Sequence, residues 1–107
     1  MGSFALGVGG LPVDTITNVP VSGTTYTVKP TDWNKQIETS SGSATTITID
    51  ATSLVGVKAG TVLLVTQGGG GTVTVSGSGV TVRSTAVFAQ YVTAAFQLKA
   101  NGEVWGL

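Results

Sequence analysis

The chain of 107 residues has no cysteine and no histidine, and only 9% of it is charged. Without cysteine there is neither a disulfide nor a thiolate metal site. Without histidine, the commonest general base and the usual zinc ligand are both missing. Five acidic and five basic residues cancel, and neither sign forms a run. The clustered cations that draw a protein to a phosphate backbone are absent, which argues against nucleic acid as a partner. The longest apolar runs, such as Val62-Leu63-Leu64-Val65, fall far short of the ~20 residues of a membrane helix, so no membrane partner is expected. Met1 to Pro12 shows no basic region followed by an apolar core, so no secretory leader is expected there.

What remains is apolar and β-branched. Apolar residues make up 41% of the chain, enough to fold, and the length suits one domain. A surface made of Thr, Ser and Gly in place of Lys and Glu is poorly defended against association and suits a subunit of an assembly. Thr25-Tyr26-Thr27-Val28, Thr45-Thr46-Ile47-Thr48-Ile49 and Thr72-Val73-Thr74-Val75 alternate polar and apolar side chains. Period-2 alternation marks a strand with one dry face. The dry set is Tyr26, Val28, Ile47, Ile49, Val73, Val75, Val80 and Val82. Thr61 to Val65 is continuously apolar and reads as a central strand covered on both sides, and Lys35 to Glu38 as a short strand. Asn101-Gly102, between Ala94–Lys99 and Glu103–Leu107, is a strong hairpin signal. Only 51–57 and 84–90 leave room for a helical turn. The pattern predicts an all-β domain, a small β-sandwich or jelly-roll over residues 21–107. Residues 1–20 carry four glycines in the first twelve positions and no sustained period, and read as an extended N-terminal arm.

Several chemistries can be weighed directly. Gly68 to Gly71 invite a phosphate-binding reading, but such a loop needs a Lys and a helix after it. Here Thr72-Val73-Thr74-Val75 follows, patterned as a strand. The run is therefore expected to turn the 62–66 strand back into 72–75. Its surplus glycines, Gly69 and Gly70, are expected to let a neighbouring chain's backbone come close. The acids Asp14, Asp32, Glu38, Asp50 and Glu103 are scattered, which favours neither a glycosidase pair nor a calcium cluster. No catalytic residue, metal or cofactor is assigned, and no enzyme activity is expected. Among the aromatics, Tyr26 and Trp105 read as packing residues. Trp33, in the turn Thr31-Asp32-Trp33-Asn34, is the aromatic expected to stand exposed, with Tyr91 a further candidate for stacking on sugar.

The order of these signals carries a resemblance. Tyr26-Thr27-Val28 leads to a turn with Asp32, then to Ala44 through Ile49, then to Ala59-Gly60-Thr61-Val62. Val65 through Gly70, Val73-Thr74-Val75 and Gly79-Val80-Thr81-Val82 follow, and Asn101 through Leu107 closes the pattern. Over about residues 24 to 107 this resembles a β-rich module of tailed-bacteriophage virion proteins, found in tail fibres and in small capsid-associated proteins, often as trimers. Versions of that module often carry Pro where Asp50 stands here. The resemblance implies a structural virion protein with no active site. More narrowly, it suggests a capsid decoration protein on the outer surface of the phage head, homotrimeric and bound to the major capsid protein. The arm would supply apolar anchors at Phe4, Leu6 and Leu11, with Gly69, Gly70 and Trp33 as further contact residues. The alternative is a tail-fibre module that binds host-surface glycan.

Overall fold

The computed structural model describes residues 16–83 and 87–107. Among the described residues ten strands form: β1 (Asn18–Val21), β2 (Thr25–Thr27), β3 (Gln36–Thr39), β4 (Thr45–Asp50), β5 (Val62–Gln67), β6 (Val73–Ser78), β7 (Val82–Arg83), β8 (Val87–Phe88), β9 (Thr93–Leu98) and β10 (Val104–Gly106). Two single 3-10 turns, Pro30–Asp32 and Ala51–Leu54, interrupt them. The second falls where the sequence leaves room for a helical turn. In the other such stretch, Val87–Phe88 is a strand.

The strands make two packed sheets, as an all-β reading requires. One has six strands in the order β1-β3-β5-β9-β10-β7, and the other four, β2-β4-β6-β8. Their wiring differs from the antiparallel exchange of a jelly-roll. Over the first six strands the chain alternates between sheets, and within each sheet these strands run parallel. β1 pairs parallel with β3 and β3 with β5, while β2 pairs parallel with β4 and β4 with β6. Three coils result, closed at one end by antiparallel β9 on β5 and β8 on β6.

The alternating segments become strands because each coil offers one side chain per two residues to the space between the sheets. Across the six-stranded sheet Val19, Ile37 and Val65 stand in register, and across the other Tyr26, Ile47 and Val75. Ile37, Ile47, Ile49, Leu63, Val65, Val73 and Val104 are wholly enclosed there, with Phe96 beside them. Truncating one of these, such as Ile47→Ala, costs about 2–5 kcal/mol. β5 lies between β3 and β9, and its Leu63, Leu64 and Val65 are all buried, as a centrally placed strand demands. The opposite face of the four-stranded sheet carries hydroxyls, with Thr25, Thr46 and Thr74 in one row and Thr27, Thr48 and Ser76 in the next.

β9 and β10 form the expected hairpin, although its turn is not the two-residue type that Asn-Gly suggests. Lys99 N–H donates to Glu103 O (2.8 Å) and Gly102 N–H to Lys99 O (3.0 Å), with Gly102 at φ 84°. This is a three-residue connection in which glycine takes the left-handed position after a type I turn. Asn101 instead uses its side chain, accepting from Glu103 N–H at 3.0 Å.

Two expectations change. Gly68 to Gly71 do not fold β5 back on β6, because those strands lie in different sheets; the run carries the chain across. Residues 18–20, assigned from sequence to the arm, belong to the six-stranded sheet through the pairing of Asn18–Val21 with Gln36–Thr39. Residues 1–15 of the arm lie outside the described residues.

Candidate interaction surface

Gln67 is the last residue of β5 and follows the same parity as Leu63 and Val65, so its amide points inward and is completely buried. A buried amide must find partners or carry a desolvation penalty. It finds three. Its Oε1 accepts from Thr39 Oγ1 (2.8 Å) and from Gly69 N–H (2.7 Å), and its Nε2 donates to Gly71 O (2.8 Å). One side chain thereby fixes both ends of the glycine crossover.

The glycines are needed because the preceding crossover, 40–44, lies directly against them. A Cβ at Gly69 would sit 2.2 Å from Ser41 O, and one at Gly71 2.1 Å from Ser43 O. At Gly70 a Cβ meets nothing within 4 Å. The close neighbour of Gly69 is therefore this chain's own backbone, where the sequence suggested a neighbouring chain. Gly70 remains exposed at the surface.

The segment after β8 packs beside this crossover. Tyr91 N–H donates to Gln67 O (2.7 Å), Gln67 N–H to Val92 O (3.1 Å), and Gln90 Nε2 to Gly68 O (3.2 Å). These bonds hold Tyr91 at φ 67°, a conformation a bulky residue adopts at a cost on the order of 1 kcal/mol or more. Its ring is 82% exposed, with Val87 and Val92 also exposed nearby in the chain. This segment thus sets an exposed aromatic side chain beside the glycine crossover.

Trp33 behaves differently from expectation. It is only 5% exposed, and its Nε1 donates to Ser53 O at 2.9 Å. Pro30–Asp32 forms a tight 3-10 turn that rolls the following indole inward, so Trp33 anchors a corner and offers no face for stacking. Asp32 in that turn is buried and accepts from Tyr26 OH (2.6 Å) and Lys29 N–H (2.8 Å). Burial, together with the neighbouring Asp32 carboxylate, pushes the Tyr26 hydroxyl well above the usual tyrosine range. Asp50 caps the second turn by accepting from Thr52 Oγ1 (2.6 Å) and Ser53 N–H (3.0 Å). The Thr52 bond, with those from Ser53, holds its carboxyl below the ordinary range. Between the two corners lies a shallow groove of about 340 Å³ lined by Pro30, Trp33, Val55, Val57, Lys58 and Thr61 among others.

On β10, Trp105 is 43% exposed. Its Nε1 donates to Glu103 Oε1 (3.0 Å), and Lys99 Nζ lies 5.1 Å from its ring centre. Arg83 reaches Glu103 with two nitrogens at 2.9 Å each. The Arg83 hydrogen bonds, then those from Trp105 and Asn101, lower the Glu103 carboxyl to about 2. These polar groups are occupied with one another.

Comparison with family models, with curated proteins and with solved structures finds no match for this chain. Of the residues singled out from sequence, Gly69 and Gly70 share the crossover, Trp33 sits in the separate corner, and Phe4, Leu6 and Leu11 lie outside the described residues. Sequence reading missed Gln67, although counting alternate positions from Leu63 and Val65 puts it on the core face. Among the described residues no three carboxylates gather, and every buried side-chain nitrogen or oxygen has a partner.

Proposed function

We propose that this protein is a non-catalytic structural component of a bacteriophage virion, and specifically a capsid decoration protein that binds the major capsid protein and further copies of itself. The observation that carries the non-catalytic part is the commitment of the interior polar groups. Asp32, Thr39, Ser53 and Gln67 each hold a turn or a crossover. A parallel-wound scaffold with its polar groups spent on rigidity suits a part that bears load and presents a surface. Among its exposed apolar side chains are Val87, Tyr91 and Val92. The phage assignment itself rests on the resemblance of residues 24 to 107. A homotrimer at a threefold position would bridge neighbouring capsomers and add buried area that resists internal pressure.

Quantitative mass spectrometry of purified particles tests this reading. Hundreds of copies per particle support the head. A few to a few dozen copies move the protein to the tail or fibre, and absence from particles overturns the proposal.

One observation favours the tail-fibre alternative. Tyr91 is held out in solvent on a strained backbone, a geometry suited to stacking on a neutral sugar ring. Under that reading Tyr91→Ala abolishes retention on host-surface glycan while leaving the fold intact.

A further inference from the structure

The chain holds three asparagines, and only Asn101 precedes a glycine. An asparagine side chain places an acyl group within reach of the next peptide nitrogen. Closing that ring is easiest where the next residue has no Cβ to crowd the nitrogen. Asn101 and Gly102 are both exposed at the turn between β9 and β10, and a Cβ built on Gly102 would meet nothing within 4 Å. Asn101 Oδ1 accepts from Glu103 N–H at 3.0 Å, a bond that reaches across Gly102. It brings the side chain alongside the 101–102 peptide and draws electron density from Cγ. The same N–H supports the charge that builds on this oxygen when Cγ is attacked. Against closure stands one bond, Gly102 N–H to Lys99 O (3.0 Å), at an exposed turn of the kind that opens at little cost. The other two asparagines differ. Asn18 is bonded at both ends of its amide, to Glu38 Oε1 (2.9 Å) and from Gln36 Nε2 (3.3 Å), and precedes β-branched Val19. Asn34 precedes Lys35, whose side chain crowds the nitrogen.

We propose that Asn101 is a site of deamidation in the folded protein, with the Gly102 nitrogen as nucleophile and Glu103 N–H steadying the oxyanion. Hydroxide removes the Gly102 amide proton and becomes water. The nitrogen attacks Asn101 Cγ, so a Cγ–N bond forms, the Cγ–Nδ2 bond breaks, and Nδ2 leaves as ammonia after taking a proton from water. Water then opens the cyclic imide at either carbonyl. Opening at the side-chain carbonyl gives aspartate, whose carboxylate keeps the bond from Glu103 N–H. Opening at the main-chain carbonyl gives isoaspartate, which routes the backbone through the side chain and adds one carbon between 101 and 102. The turn cannot absorb that carbon unchanged, because Lys99 N–H to Glu103 O (2.8 Å) and Gly102 N–H to Lys99 O fix its length. β10 lies between β9 and β7, so the lesion loosens the strand that carries Trp105. The assignment does not depend on the virion reading, since it follows from the turn alone.

Peptide mapping by mass spectrometry on the full-length chain, held folded at mildly alkaline pH, tests this, with isoaspartate counted by enzymatic methylation. Conversion is expected at Asn101, in proportion to hydroxide concentration, with Asn18 and Asn34 intact. In the isolated isoaspartate form the Lys99 amide should exchange at least about tenfold faster than in the starting protein, while the amides of β4 and β6 keep their protection. In Asn101→Asp, which matches the other product, the Lys99 amide should exchange as before. Asn101 left intact in the folded chain while the same chain in urea is converted overturns the proposal, because the turn then shields the bond. So does conversion of Asn18 or Asn34 at the rate of Asn101. An isoaspartate form whose Lys99 amide stays protected overturns the assigned effect on the hairpin.

Discussion

Thr39 Oγ1 lies 2.8 Å from Gln67 Oε1, linking residues 28 positions apart that face each other in neighbouring parallel strands. The same Gln67 oxygen accepts from Gly69 N–H, and the amide nitrogen holds Gly71 O. A single side chain thus ties the register of two coils to the path of the crossover between sheets. Gln67→Leu fits the volume but leaves Gly69 N–H and Gly71 O without their partner, while Thr39 Oγ1 keeps Thr66 O as an acceptor. Each unmet buried group costs about 1–3 kcal/mol, so a total loss of about 3 kcal/mol is expected in urea denaturation. Gln67→Glu gives a different signature. The buried carboxylate repels Gly71 O when ionised but donates to it when protonated, so its folded-state pKa rises. Stability is then greater below the ordinary glutamate value and falls as pH rises through the raised one.

The glycine run should divide under substitution. Gly69→Ala and Gly71→Ala force a Cβ into the backbone of Ser41 and Ser43, and each should cost about 2 kcal/mol or more. Gly70→Ala meets open space and should change stability by less than about 0.5 kcal/mol. Equal melting temperatures for the three variants would show that the crossover is not packed against 40–44.

The two tryptophans should report opposite surroundings. With Trp105 replaced by Phe, the remaining Trp33 should emit at short wavelength and resist iodide quenching. With Trp33 replaced by Phe, Trp105 should be quenched readily. Trp33→Phe also removes the donor to Ser53 O and should cost about 1 kcal/mol.

Glu103 carries the chain's clearest pH dependence. Its folded-state pKa is lowered from 4.5 to about 2, so the ionised, Arg83-paired form is favoured by folding. Its contribution is fully present above the unfolded value and is lost as pH falls from about 4.5 toward about 2. A carboxyl carbon titration should place its midpoint near that lower value. Glu103→Gln should flatten the stability profile across the same window and leave it unchanged near neutral pH.

Tyr91→Asn should stabilise the protein by about 0.5–1 kcal/mol, because asparagine tolerates the left-handed backbone that tyrosine occupies under strain. A rise in melting temperature by differential scanning calorimetry checks this. A fall would mean that the ring makes contacts outweighing the strain.

The alternation in Thr45 to Ile49 and Thr72 to Val75 made strands and their dry faces legible, because period-2 burial is a local property. Which strands pair was not. Tyr26, Ile47 and Val75 line up only through parallel coils, and nothing in their local spelling separates that from antiparallel packing. Trp33 was misread for a related reason. Its partner, Ser53 O, lies 20 residues away, so a turn that looks exposed from its Pro and Asp closes over a buried indole. Gln67 was legible in principle, since its parity follows Leu63 and Val65, but a lone amide beside four glycines draws the eye to the glycines.

Parallel winding also sets how such a chain can lengthen. Each full coil returns the backbone to the same sheet, one strand spacing farther along, about 4.8 Å. Size therefore comes in steps of whole coils. Duplicating the segment from β3 to the end of the 51–61 connection would move the hairpin cap one step outward and leave the cap's own contacts of the same kind. The distance between the two ends of the molecule is a count of turns, and a lineage could adjust its reach by adding or deleting them.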